Sequence, residues 1–222
     1  AAVWLTIDDG WQKNLQNVLP ALEQQKVHAT IFISTQAVES GAFWWTYAEK
    51  FGGLLPEKFK NNVNLLWETP ETERKQVISE LFGKVKDKIK REALTIDELK
   101  LLSKSEYITL GSHTVNHVIT PNCTDDELMS ELKGSKQKLE EWTGKKVNTF
   151  AYPNADHTER EEEFLKAAGY EIAAIVSNRF AGKNDNPYRI PRMVMGEAYF
   201  PEELCHMFGV WQKVIKKIKG SS

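Results

Sequence analysis

Apolar and polar positions follow two rhythms along this chain, and the rhythms take turns. Residues 3–7 form a short apolar run stopped by Asp8-Asp9-Gly10, the pattern of a buried strand. Leu15, Val18, Leu19 and Leu22 then recur at helical spacing, and Pro20 inside that pattern predicts a kink or a late helix start. Residues 28–34 are β-branched and aromatic, a second buried strand. Strand, helix, strand in that order is a βαβ unit with a right-handed crossover.

The rhythm breaks over residues 35–93. Gly41, Gly52, Gly53 and Pro56 punctuate a stretch carrying Phe43, Trp44, Trp45, Tyr47 and Phe51, and a polar helical segment follows over 71–90. We read this stretch as an insertion after the second strand, with too little apolar content for a core of its own. Beyond it the alternation resumes. Thr95 with Glu98, and Thr124 with Glu127, are capping boxes that open two helices, the second running to Gly144. Strands are expected over 107–112, 147–152, 171–176 and 188–195, and helices over 159–168 and 201–219. Strand and helix alternate throughout, which argues a parallel sheet, open or closed into a barrel. Either way the working site lies at the C-terminal ends of the strands.

Composition narrows the class. The chain has 222 residues, 41% hydrophobic and 27% charged, enough for a sizeable core in one domain spanning 1–222. A formal charge of -2 leaves no electrostatic footprint for nucleic acid. The basic run over 213–219 reads as a solvated helix face. Cys123 and Cys205 make neither a disulfide framework nor a CxxC metal site. No run is apolar enough for a transmembrane segment. The chain opens inside an apolar run with no initiator methionine, which leaves room for residues upstream and leaves the compartment open between bacterial cytoplasm and cell envelope. Nothing in the sequence sets the oligomeric state.

Three strand tips carry the chemistry. Asp8 and Asp9 end the first strand, His113 and His117 follow the third, and Tyr152-Pro153-Asn154 follows the fourth. Two adjacent acids at a strand tip are costly unless a cation or a proton relieves their repulsion. A spacing of four places the two imidazoles on one face of a helical turn, close enough to share an ion. One carboxylate with two histidines is a three-ligand set with open positions, the catalytic pattern for zinc. A metal so held polarises a carbonyl and lowers the pKa of water to about 7, and the remaining carboxylate is free to act as general base.

The stretches TIDDG, SHTVNH and FAYPNA resemble the first three motifs of the polysaccharide deacetylase family (the NodB homology domain, carbohydrate esterase family four). The resemblance covers residues 4 to about 195, less the insertion. It implies a distorted parallel (β/α) barrel and metal-dependent removal of N- or O-acetyl groups from a glycan, such as a bacterial surface or cell-wall polysaccharide. By position it implies Asp8 as base and Asp9, His113 and His117 as ligands of a divalent metal. Zinc fits that donor set, with cobalt, nickel, manganese and iron as alternatives. It also implies the backbone N–H of Asn154 as an oxyanion donor, a role that tolerates a changed side chain. Ala151 stands where many members carry an arginine that orients the base, and Arg192 is the candidate replacement. The histidine that protonates the leaving amine has no clear counterpart; His157, His206 and a residue upstream of Ala1 are the candidates. Trp11, Tyr152 and Pro153 are candidate glycan contacts, whereas Trp44 and Trp45 are assigned to packing of the insertion.

Two histidines and a carboxylate also describe non-haem iron oxygenases, which do not need the second aspartate. A hydrolase of another small amide, or a non-catalytic glycan-binding protein that keeps the metal site, are further alternatives.

Overall fold

The computed structural model describes residues 3–177 and 179–195. Six parallel strands pair in sequence order: β1 (Leu5–Ile7), β2 (Ala29–Ile33), β3 (Ile108–Ser112), β4 (Thr149–Ala151), β5 (Ile172–Val176) and β6 (Ile190–Arg192). Each strand pairs with the next one in the chain, and the sheet curls into a half-barrel. That is the distorted (β/α) barrel, and all six C-terminal strand ends share one rim. Every strand falls within its expected stretch, trimmed at one or both ends where the ladder stops.

The period-2 alternation of β2 explains the layering. Ala29, Ile31 and Ile33 face a core shared with Leu128, Leu132 and Leu139 of the helix α8 (Asp125–Thr143). Phe32 points the other way, into the concave side, and clusters there with Ala151 of β4 and Ala174 of β5. Gly111 on β3 makes room for that ring, because a Cβ there would lie 2.4 Å from Phe32 Cδ1. One large ring among small residues therefore fills the inside of the sheet below its rim.

Between β1 and β2 a turn of π-helix (Asn14–Val18) leads into the helix α1 (Leu19–Gln25), with Pro20 in its first turn. Proline lacks the N–H that a helix interior needs, so the regular helix starts late, as its position predicts. Both capping boxes form, Thr95 with Glu98 and Thr124 with Glu127, and α8 ends at a left-handed Gly144.

The insertion departs from expectation. It folds as helices α2 (Thr35–Ser40), α3 (Trp44–Lys50), α4 (Glu57–Lys60), α5 (Leu65–Glu68) and α6 (Glu71–Val85). These bury a cluster of their own: Trp44, Tyr47, Leu55, Phe59, Leu66, Leu81 and Val85, with Phe51 and Phe82 against it. A few large aromatic side chains supply the area that the low apolar count concealed. The helix α7 (Ile96–Leu102) then returns the chain to the barrel. The expected helix over 201–219, with Cys205 and His206, lies outside the described residues. Among the described residues no helix is long and apolar enough to cross a membrane.

Candidate active site

The rim site starts where β1 stops. Asp9 (φ 76°) and Gly10 (φ 92°) are both left-handed. Aspartate tolerates that region better than most residues, and glycine adopts it freely. The turn is fixed by the backbone: Ser34 N–H donates to Asp9 O at 3.1 Å and Leu94 N–H to Gly10 O at 3.0 Å. It turns the two neighbouring carboxylates in different directions, with His113 Nε2 between them, 3.9 Å from Asp8 Oδ2 and 3.6 Å from Asp9 Oδ1.

Asp9 faces the histidines. Its Oδ1 lies 3.6 Å from His113 Nε2 and 3.4 Å from His117 Nε2. Its Oδ2 accepts a hydrogen bond from Trp11 Nε1 at 3.0 Å. Ligand atoms of Asp9, His113 and His117 all lie within 4.8 Å of one another. Asp8 faces the last strand. Arg192 grips it in a two-pronged pair, Nη1 to Oδ1 at 2.7 Å and Nη2 to Oδ2 at 2.6 Å, and Nη1 also donates to Thr6 Oγ1 at 3.0 Å. Arg192 is only 11% exposed at its side chain, which rules out a loose surface pair. It links β6 to β1, the two end strands that do not pair with each other.

The histidines do not sit on a helical turn. His113 follows β3 directly, and residues 114–119 run as an irregular loop with Thr114 at φ 66° and His117 at φ 50°. Two left-handed residues, not helical spacing, bring the rings to a centroid distance of 4.8 Å. Glu131 of α8 accepts from Val115 N–H and Asn116 N–H, both at 2.9 Å, and so satisfies loop amides that a helix would have paired internally.

The donor set suits a divalent metal. His113 Nδ1 lies 2.8 Å from Ala151 O, so its proton sits there and the Nε2 lone pair faces Asp9. Burial lowers the His113 pKa and favours the neutral, ligating form. Burial alone would raise the Asp9 carboxyl. The hydrogen bond and charge of His117, the charge of His113 and the Trp11 N–H outweigh it and hold the pKa at about 2, so the carboxylate is ionised at neutral pH. His117 Nδ1 is buried and has no partner among the described residues.

The structure thus brings together Asp8, Asp9, His113, His117, Arg192 and Trp11. Asn154 lies on the loop after β4, exposed and left-handed at φ 54°. His157 is half-buried on the same loop, its Nδ1 2.8 Å from Ala155 O and its ring 5.4 Å from Tyr152. The expectation that Tyr152 and Pro153 offer surface to a glycan is not met. Tyr152 is 1% exposed within the main core, and Pro153 is buried. The Tyr152 ring packs edge-on against Phe150 at 5.1 Å, and its hydroxyl donates to Tyr188 O at 3.2 Å. Trp11 likewise spends its polar edge on Asp9 and stacks on Phe43 at 4.1 Å.

Sequence reasoning missed the support around the histidine loop. Trp45 and Trp67 pack on the His117 ring at 4.3 and 5.9 Å. Glu131 is the carboxylate under the loop, and its position held a signal. It shares the buried stripe of α8 with Leu128, Leu132 and Ser135, where an acid has no place unless it is paired.

A parallel (β/α) half-barrel with polar and ionisable groups converging on its C-terminal rim is the layout of a barrel enzyme. Comparison with known proteins makes the class specific: the polysaccharide deacetylase family model matches residues 1–173, and the chain belongs to that family. No curated protein matches the sequence. Solved structures share the fold at low identity. A Streptococcus pyogenes deacetylase, PplD, in complex with acetate is 18% identical at a TM-score of 0.66, with 92% of this chain and 69% of that one covered. BC0361, a polysaccharide deacetylase from Bacillus cereus, is 21% identical at a TM-score of 0.60, with 91% of this chain covered. IcaB from Ammonifex degensii is 16% identical at a TM-score of 0.57, covering 92% of this chain and 72% of that one. The chain spans 49% of the length of the Bacillus cereus protein.

Proposed function

We propose that this protein is a metal-dependent carbohydrate deacetylase that removes acetyl groups from N-acetylated or O-acetylated sugars of a polysaccharide, such as a bacterial surface or cell-wall glycan. One observation carries the reading: a carboxylate–dihistidine cluster stands beside a second carboxylate, Asp8, whose Oδ2 lies 3.9 Å from His113 Nε2 and whose two oxygens Arg192 grips. Family membership supports the activity class. The same reading takes the chain as one catalytic domain, with residues 35–93 inserted within it.

Asp9, His113 and His117 would hold the metal, zinc by the donor set. When bound there, it would polarise the acetyl carbonyl and acidify water. The chain's own groups do the rest. Each Asp8 oxygen keeps a lone pair beyond its bond to Arg192, so Asp8 takes the proton of the attacking water. The water oxygen adds to the carbonyl carbon, and the Asn154 N–H steadies the oxyanion. The bond to the sugar nitrogen or oxygen then breaks as that atom takes up the proton Asp8 removed from water, which restores the Asp8 carboxylate, and acetate departs. Arg192 orients Asp8 in place of an arginine at Ala151. Trp11 fixes the rotamer of Asp9 through its N–H.

Metal removal tests the reading. The protein should release acetate from an acetylated chitooligosaccharide or an acetylated bacterial surface glycan, stop after chelation and dialysis, and recover with added zinc or cobalt. Acetate release that survives chelation sinks the metal role. Metal binding without acetate release from either substrate favours a glycan-binding protein instead. Iron-dependent oxygen consumption favours an oxygenase.

A further inference from the structure

The insertion does more than fill space beside the barrel. Its helices approach the histidine loop from three directions. Trp45 of α3 and Trp67 of α5 pack on the His117 ring. Arg74 of α6, buried and stacked 4.6 Å over Trp44, donates from Nη2 to the His117 carbonyl at 3.4 Å. Lys75 of α6 pairs through Nζ with Glu131 Oε1 at 3.0 Å. Glu131 itself is 2% exposed and accepts Val115 N–H, Asn116 N–H and, at 2.6 Å, Asn116 Nδ2.

These bonds fall on the segment between Thr114 and His117, the two left-handed residues of the loop. Residues with a Cβ stay in that region only when their surroundings over-determine it. Here the surroundings are a buried anion holding two consecutive amides from below and a buried guanidinium holding the next carbonyl. A buried carboxylate is itself costly without a cation, and Lys75 supplies one. The other two ligands need none of this. Asp9 and His113 are set by strand ends and by bonds to Ser34, Trp11, Ile33 and Ala151.

We propose that Glu131 and Lys75 are positioning residues that fix His117 as a metal ligand, so that the insertion controls how tightly the site takes up metal. The proposal rests on the metal reading given above. Glu131 reaches the ring through the loop backbone, and Lys75 acts through Glu131.

The test is a titration of metal-free protein with zinc, and with cobalt followed by its visible absorption. Glu131→Gln keeps the size of the side chain but removes its charge and one acceptor. Its zinc affinity should fall by roughly 10–100-fold, the usual effect of losing a partner just outside the ligands. Its cobalt spectrum should change in intensity, which a purely structural loss would not cause. Lys75→Met, at a half-exposed position, should weaken binding in the same direction by less. The effect of the double variant should fall short of the product of the two single effects, because both act through one contact. Zinc affinity equal to the parent in both single variants overturns the proposal while leaving the metal site intact. A parent protein that takes up no divalent ion overturns the metal reading and this proposal together.

Discussion

The two sides of the rim site are built by different means. Asp8, Asp9 and His113 stand at strand ends, and their partners are close in the barrel: Arg192 on β6, the Ala151 carbonyl at the end of β4, and Trp11 two residues on. His117 stands on a loop with no strand under it, held by α8 and by an insertion that packs a core of its own. The barrel side needs one half-buried ion pair, Asp8 with Arg192. The loop side needs the linked charges Glu71, Arg74, Lys75 and Glu131. A parallel sheet thus places strand-tip residues with few helpers, whereas His117, which leaves the sheet, is held by buried charge.

The sharpest way to break this comparison is to alter the barrel side alone. Asp8→Asn keeps the shape of the proposed base and leaves Asp9, His113 and His117 in place. Turnover should fall by about 10²–10⁴-fold, the usual worth of a general base, with metal content unchanged. Arg192→Lys should cost less, up to about 100-fold, because lysine cannot grip both Asp8 oxygens and the base loses its fixed aim. Turnover and metal content by elemental analysis separate the outcomes. Asp8→Asn at the parent rate removes Asp8 as the base. Loss of metal in either variant means that the two sides are not independent.

The two sides should also respond to pH in opposite senses when the protein is metal-free. Asp9 is held down to about 2, so its ionised form stabilises the fold. That contribution is complete above the ordinary carboxylate range near 3.8 and is lost as pH falls toward 2, on the order of 2 kcal/mol. Glu71 of α6 is pushed up to about 7, chiefly by burial, with the Glu131 charge adding and Arg74 and Lys75 opposing. Its protonated form is the favoured one in the fold. The contribution is complete below about 4.5 and is lost as pH rises through 7, on the order of 3 kcal/mol. Urea unfolding of metal-free protein across this range should show both slopes. Glu71→Gln should flatten the one between 4.5 and 7 and leave the acid slope alone. A variant that keeps the parent's slope there shows that burial does not govern Glu71.

The same division separates what the sequence discloses from what it conceals. Strand alternation, the late start at Pro20, both capping boxes and the TIDDG and SHTVNH stretches are local patterns, and local patterns survive in the order of residues. Arg192 as the partner of Asp8 is legible only through resemblance, since 184 residues separate them. The irregular path of the histidine loop is hidden because spacing of four reads as a helix when the left-handed residues are threonine and histidine. The core of the insertion is hidden because a few tryptophans and phenylalanines do the work of many leucines. Tyr152 was expected to face a glycan from its place in the motif, but the pleat of β4 and its exit turn its ring into the core.

Trp11 offers the finest distinction, because it was expected at a glycan and is found on Asp9. Trp11→Phe keeps a ring to stack on Phe43 but removes the donor to Asp9 Oδ2. A hydrogen bond to a charged group contributes about 1.5–3 kcal/mol, and Asp9 is partly exposed, so the lower end applies. Zinc affinity should therefore weaken by roughly tenfold, while the KM for an acetylated oligosaccharide stays near the parent value. The reverse result, a raised KM with zinc affinity intact, would return Trp11 to the substrate and leave Asp9 oriented by the histidines alone. Either outcome decides how much of the barrel side is built from one turn of chain, because Asp9, Gly10 and Trp11 are consecutive. If the tenfold loss appears, that turn supplies both a ligand and the group that aims it, an economy the histidine loop lacks.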